Sequence, residues 1–160
     1  MPESTGAITA RDVHPDAIET LDRLTRDIRV AMLTTTMPDG SLRARPMATP
    51  QKGFDGEFWF FTGWATEKVH ELLQDQHVNL AFVKPEDSRY VSVSGRATII
   101  RDRAKAQALW SPAYQAWFPK GVEDPNLALL RVRVEQAEYW DAASSTMVQI
   151  GGFAKAVVAG

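Results

Sequence analysis

Between residues 30 and 150 the chain divides into short strand-period runs separated by turn signals, and this segmentation limits the folds open to it. Val30–Thr36, Leu42–Thr49, Glu57–Thr62, His77–Val83, Arg89–Ile100 and Leu129–Trp140 each read as strand, and Thr146–Ile150 reads as a further short one. Pro38-Asp39-Gly40 is a turn with a mechanism: proline presets φ and glycine accepts a positive φ. Gly95, inside the long Arg89–Ile100 run, suggests a bulge or bend. Leu130, Val132 and Val134 alternate with Arg131, Arg133 and Glu135, so that strand has an apolar face and a polar face, the polar one read as solvated. Helical spacing is confined to connections. Pro15 opens one helix, Thr66 opens a second over Val69, Leu72 and Leu73, and Asp102 begins a third that extends to about Trp117. Adjacent strands with helices at the joints predict a mainly β, α+β architecture: a small antiparallel barrel with helical additions.

At 160 residues the chain suits one domain, enough to bury ~70% of its unfolded surface. The expected domain covers 13–152, with a loose arm over 1–12 and a tail over 153–160. A net charge of −2 gives no electrostatic reason to expect nucleic acid as a partner. The absence of cysteine excludes disulfides, thiolate metal sites and a cysteine nucleophile. No apolar run approaches the ~20 residues of a membrane span, and Met1–Ala10 lacks the basic and apolar regions of a signal peptide. A cytoplasmic protein is the expectation.

The residues that can carry chemistry cluster around Phe58-Trp-Phe-Phe-Thr62-Gly-Trp-Ala-Thr66-Glu-Lys68. An aromatic strand there enters a glycine-containing turn, and Thr66 stands where an N-cap belongs. Lys68 opposes the positive end of the helix dipole, where acids are favoured. Free helical amides, the hydroxyls of Thr62 and Thr66 and the Lys68 ammonium make a site for phosphate; a solvated lysine describes the same residues. Arg43 and Arg45 share one side of their strand, as a fork for an anion or as an exposed polar face. Tyr90, Ser92 and Ser94 share one face of theirs, as a polar ligand edge or as a solvent face. His14, His70 and His77 have no metal-ligand spacing, no metal site is expected, and no acidic pair marks a catalytic residue. Trp110, Trp117 and Trp140 suit core or interface packing, with room for one or two to stack on a flat cofactor.

These residues carry a resemblance. Arg45-Pro46-Met47, Phe60-Phe61-Thr62 followed by Thr66 and Lys68, and Val91-Ser-Val-Ser-Gly95 resemble the pyridoxamine 5′-phosphate oxidase-like, FMN-binding split barrels. Leu109-Trp-Ser-Pro112, Trp117-Phe-Pro-Lys-Gly121, Asp124-Pro125 and Glu138-Tyr-Trp-Asp141 are similar to the general stress protein 26 branch, in an order kept from about Pro15 to Ile150. The resemblance implies a six-stranded antiparallel split β-barrel with peripheral helices. It implies FMN as cofactor, with Arg45 and Lys68 on its phosphate beside Thr62 and Thr66, and the backbone near Pro46 and Met47 at the pyrimidine edge of the flavin. Tyr90 and Ser92 would lie on the strand reaching the flavin from the barrel side. It further implies a homodimer with flavin at the subunit interface, where Trp110, Trp117 or Trp140 are candidates to complete each site.

Two departures from the family pattern narrow the expected activity. The segment Gly151-Gly-Phe-Ala-Lys-Ala-Val-Val-Ala-Gly160 offers one lysine and no arginine or histidine, and Glu67 replaces a position often basic in true pyridoxamine phosphate oxidases. The expected function is therefore a flavin-dependent oxidoreductase acting on a small substrate other than pyridoxamine 5′-phosphate. A flavin-sequestering stress protein is the alternative. Deazaflavin F420 or haem are further cofactor alternatives, haem having little support from the histidines.

Overall fold

The computed structural model describes residues 13–50 and 53–153. The expected arm and all but the first residue of the expected tail lie outside them. In chain order the elements are α1 (Pro15–Thr25), β1 (Val30–Thr36), β2 (Leu42–Ala48), β3 (Glu57–Gly63), α2 (Glu67–Gln74), β4 (His77–Lys84), β5 (Arg89–Ile100), α3 (Arg103–Leu109), β6 (Leu127–Asp141) and β7 (Thr146–Ile150). All strand pairs are antiparallel, in the order β2-β1-β4-β5-β6-β3, with β7 added to the far half of β6. This is the curled half-barrel that the resemblance implies. β2 and β3 end the path and are not hydrogen-bonded to each other, which makes the barrel split.

Period-two patterning sets what is inside. Ala31, Leu33, Leu80, Phe82, Val91, Val93, Leu130 and Val132 face the core, where Leu21 of α1 plugs the open side at 0% exposure. A second, smaller core lies outside β3, where Phe61 and Leu129 pack with Ala106, Tyr114 and Phe118. The 3-10 turn Pro112–Ala116 supplies Tyr114, so the third helix is shorter than expected. It ends at Leu109 because Ser111 precedes Pro112, and proline's ring excludes α geometry there: Ser111 is extended at φ −134° and ψ 144°.

Turn chemistry agrees with the sequence. Gly40 takes φ +87° between β1 and β2. Gly95 sits where the β5–β6 register shifts, and an added Cβ would lie 2.0 Å from the Arg133 carbonyl oxygen. Phe153, in the expected tail, instead packs against the main core, 6.5 Å from the Phe54 ring. Arg131 and Arg133 are also less open than expected, with side chains 22% and 24% exposed around a shared Glu57 at 3.3 Å. Trp59 and Glu57 of neighbouring β3 cover that face, which period-two alternation alone cannot reveal.

After α1, Asp27 binds Lys84 at 2.6 Å and also contacts Arg89, tying the helix to β4 and β5. Mainly through the Lys84 hydrogen bond, the Asp27 carboxyl is held below its ordinary 3.8. A depressed carboxyl stabilises the fold above its unfolded value, and that contribution disappears as pH falls through the folded one. Urea unfolding from pH 6 to pH 3 should therefore fall less steeply with acid in Asp27→Asn than in the parent. Parallel curves would assign acid sensitivity elsewhere.

Candidate functional site

Arg43 and Arg45 point to the same side of β2, as the sequence predicts, but the anion they meet belongs to the chain itself. Glu71 of α2 is buried at 4% exposure. Arg45 donates from Nη2 to Glu71 Oε2 at 2.7 Å and from Nη1 to Thr35 Oγ1 at 2.6 Å. The Thr35 hydroxyl, on β1, donates in turn to the same Glu71 oxygen, closing a ring of three side chains. Arg43 Nη1 stands 3.7 Å from Glu71 Oε1, an oxygen that accepts no hydrogen bond among the described residues. The Arg45 side chain is 15% exposed and that of Arg43 49%, so Arg45 is the held cation and Arg43 the outer one.

The turn from β3 into α2 is pinned by Asn126. Its backbone oxygen accepts from Trp64 N at 2.7 Å and its side-chain oxygen from Ala65 N at 3.2 Å. Thr66 occupies the N-cap position, yet its hydroxyl donates back to the Gly63 carbonyl at 3.0 Å and caps no helical amide. This corrects the capping expectation: the tight turn brings an acceptor nearer than the first-turn N–H groups. Of those amides, Val69 N donates to the Thr66 backbone oxygen at 3.2 Å, and none is capped by the Thr66 side chain. Thr62 is buried at 3% on the barrel side of β3. Lys68 lies in the first turn of α2, while its side chain and that of Glu67 lie outside the described residues.

The remaining candidates fall into two other places. Met47 is buried in the core and Pro46 faces out, so a ligand at this edge meets their backbone. β2 is an edge strand with no hydrogen-bonded neighbour on its far side among the described residues. Tyr90, Ser92 and Ser94 do share the outer face of β5, with Asn79 donating to Ser92 at 2.9 Å. In register with them run Pro46, Met32, Ala81, Ser92, Glu138 and Gln149, one row across six strands. Trp140, partly buried and opposite Met147, belongs to the same face. Trp110 does not. It packs edge-on against Phe61 at 5.6 Å in the outer core, whereas Trp117 is 67% exposed.

Glu71 is the residue that sequence reasoning passes over. Helical spacing that buries Val69 and Leu72 sets Glu71 off their face, so periodicity gives no reason to bury it. The available hint is charge: two arginines on one strand face require a counter-ion if that face is covered.

A family model described as "Pyridoxamine 5'-phosphate oxidase like" matches residues 16–160. The chain belongs to that family. Among curated relatives it is 29% identical over 140 residues to protein bli-3 of Neurospora crassa, covering 81% of this chain and 66% of that one. The chain thus spans about two thirds of that relative's length. Among solved structures it is 34% identical to the general stress FMN/FAD-binding protein of Xanthomonas citri, covering 82% and 92% of the two chains at a TM-score of 0.66. The fold is shared at a TM-score of 0.71 with a Clostridium acetobutylicum protein related to general stress protein 26, at 23% identity and with 84% and 94% covered. The family and the general stress protein resemblance read from the motifs therefore stand. No helix among the described residues is long and apolar enough to cross a membrane, and none of their His, Asp or Glu side chains form a metal-binding group.

Proposed function

We propose that this chain binds FMN and serves as a flavin-dependent oxidoreductase for a small substrate, working in the cytoplasm as a homodimer. The observation that carries the reading is Arg45, a guanidinium fixed at an open sheet edge. The Thr66 turn and the first turn of α2, which carries Lys68, supply the rest of a donor set that fits a phosphate. A guanidinium has more N–H donors than the two bonds to Thr35 and Glu71 use, so it can hold them and still donate to a ligand. The family membership and the flavin-binding relative in Xanthomonas citri support FMN over F420 or haem.

In this reading bound flavin supplies the hydride chemistry. Arg45 and Lys68 bind and orient the phosphate end beside Thr62 and the first turn of α2, with the Thr66 hydroxyl holding the turn through Gly63. The backbone at Pro46 and Met47 borders the ring system. Tyr90, Ser92 and Trp140 belong to the face a second subunit would cover. That face exposes Val30 at 51%, Met32 at 39%, Val83 at 47%, Tyr90 at 39% and Met147 at 40%, a continuous apolar band on neighbouring strands. Contiguous exposed apolar surface of this kind marks an interaction site.

The test begins with the absorption spectrum of protein mixed with FMN and gel-filtered, then read again after anaerobic NADH or NADPH. Retained yellow colour that bleaches is the expected result. Colour that stays unbleached by either donor would favour the sequestering protein instead. Pyridoxamine 5′-phosphate should not bleach it, because Arg131 and Arg133 already share Glu57. Sedimentation should give a dimer at micromolar concentration, and a flavin-loaded monomer would remove the shared site.

A further inference from the structure

Glu71 is an expensive group to bury: a carboxylate taken from water is tolerated only when charge and hydrogen bonds replace the water. Here the charge comes from Arg45, proposed to meet the cofactor, and the hydrogen bonds from Arg45 and Thr35. One oxygen, Oε2, accepts from Thr35 and from Arg45, while Thr35 also accepts from Arg45. A planar guanidinium gripped at Nη1 and Nη2 by two partners that are themselves bonded cannot rotate about its last torsion without breaking two bonds. Glu71 and Lys68 lie on one helix, three residues apart, so neighbouring turns of α2 carry both. The same short helix thus holds Arg45 through Glu71 and carries Lys68 in its first turn.

Resting on the FMN reading, we infer that Glu71 is a positioning residue, which aligns Arg45 for the phosphate of the flavin without touching the ligand. The negative charge matters as well as the shape. Arg43 Nη1 stands 3.7 Å from Oε1, so a glutamine amide would have to turn its NH2 group either toward Arg43 or toward Arg45 and Thr35. Each placement puts donor against donor. Thr35, at 1% exposure, transmits the same alignment through its hydroxyl.

The experiment compares FMN with riboflavin, which lacks the phosphate, by titration of the full chain. In Glu71→Gln the FMN affinity should fall about tenfold, the scale on which residues that orient a binding side chain act. Riboflavin affinity should stay within about twofold, since nothing it contacts has moved. In an Arg45→Lys background, Glu71→Gln should add little, because its effect passes through the guanidinium. Should Glu71→Gln fail to fold, Thr35→Val removes the same link with little change of volume, and should lower FMN affinity alone. A purely structural Glu71 would lower the unfolding temperature and weaken both flavins alike, which would overturn the inference. Unchanged FMN affinity in both variants would overturn it too. Parent protein that binds no FMN would overturn the FMN reading itself and this inference with it, a failure visible before any variant is made.

Discussion

Arg45→Ala should lose both cofactor and stability. In the FMN reading, truncation takes away the hydrogen bonds proposed to reach the phosphate, worth about 1.5–3 kcal/mol of FMN affinity, and leaves riboflavin affinity nearly unchanged. It also strands Glu71, a 5% exposed carboxylate whose remaining partners are the Thr35 hydroxyl and the more distant Arg43. Breaking a buried pair from one side costs about 3 kcal/mol or more, so urea unfolding at pH 7 should shift strongly. Arg43→Ala is the comparison and should do less on both counts, being half exposed and farther from the carboxylate. The double variant Arg45→Met with Glu71→Leu should recover most of the stability but none of the FMN affinity, because it removes the stranded charge along with the donor. Arg43→Ala proving the worse binder would place the phosphate donor one step along the strand.

Gly95→Ala should be strongly destabilising, the closest backbone clash among the described glycines compared for an added Cβ. The added carbon would sit 2.0 Å from the Arg133 carbonyl oxygen, 2.9 Å from the carbon of that carbonyl and 3.2 Å from the Val134 Cα. All three are backbone atoms of β6, which pairs with β3, β5 and β7 and cannot yield locally. Overpacking against a ladder of this kind is expected to cost about 3 kcal/mol or more, seen as poor soluble yield and a lowered thermal midpoint. Gly151→Ala, where an added Cβ meets nothing within 4 Å, should stay within about 0.5 kcal/mol of the parent. A Gly95→Ala protein as stable as Gly151→Ala would mean that β5 and β6 do not approach so closely at the bulge.

Local rules explain why most of the fold was legible. Strand runs, the Gly40 turn, the Gly95 bulge and the starts of the helices each depend on a few consecutive residues, and each is found where patterning places it. Apolar spacing carries the expected third helix past a proline whose effect on Ser111 outweighs it, and the helix is shorter for that reason. Trp110 shows the limit for side chains. Its sequence position allows a cofactor stack or a core, and packing against Phe61, Tyr114 and neighbouring apolar groups gives it to the core.

What the sequence determined by itself was the set of parts: a split antiparallel barrel, its family, and one strand face carrying Arg43 and Arg45. Period two comes from backbone geometry and needs no partner to be read. What only the tertiary structure decided was the partner of those arginines. Glu71 comes from a helix 26 residues beyond Arg45, and Thr35 from the strand before it. Burial of a charge depends on what other elements bring within hydrogen-bond reach, and no local pattern encodes that distance.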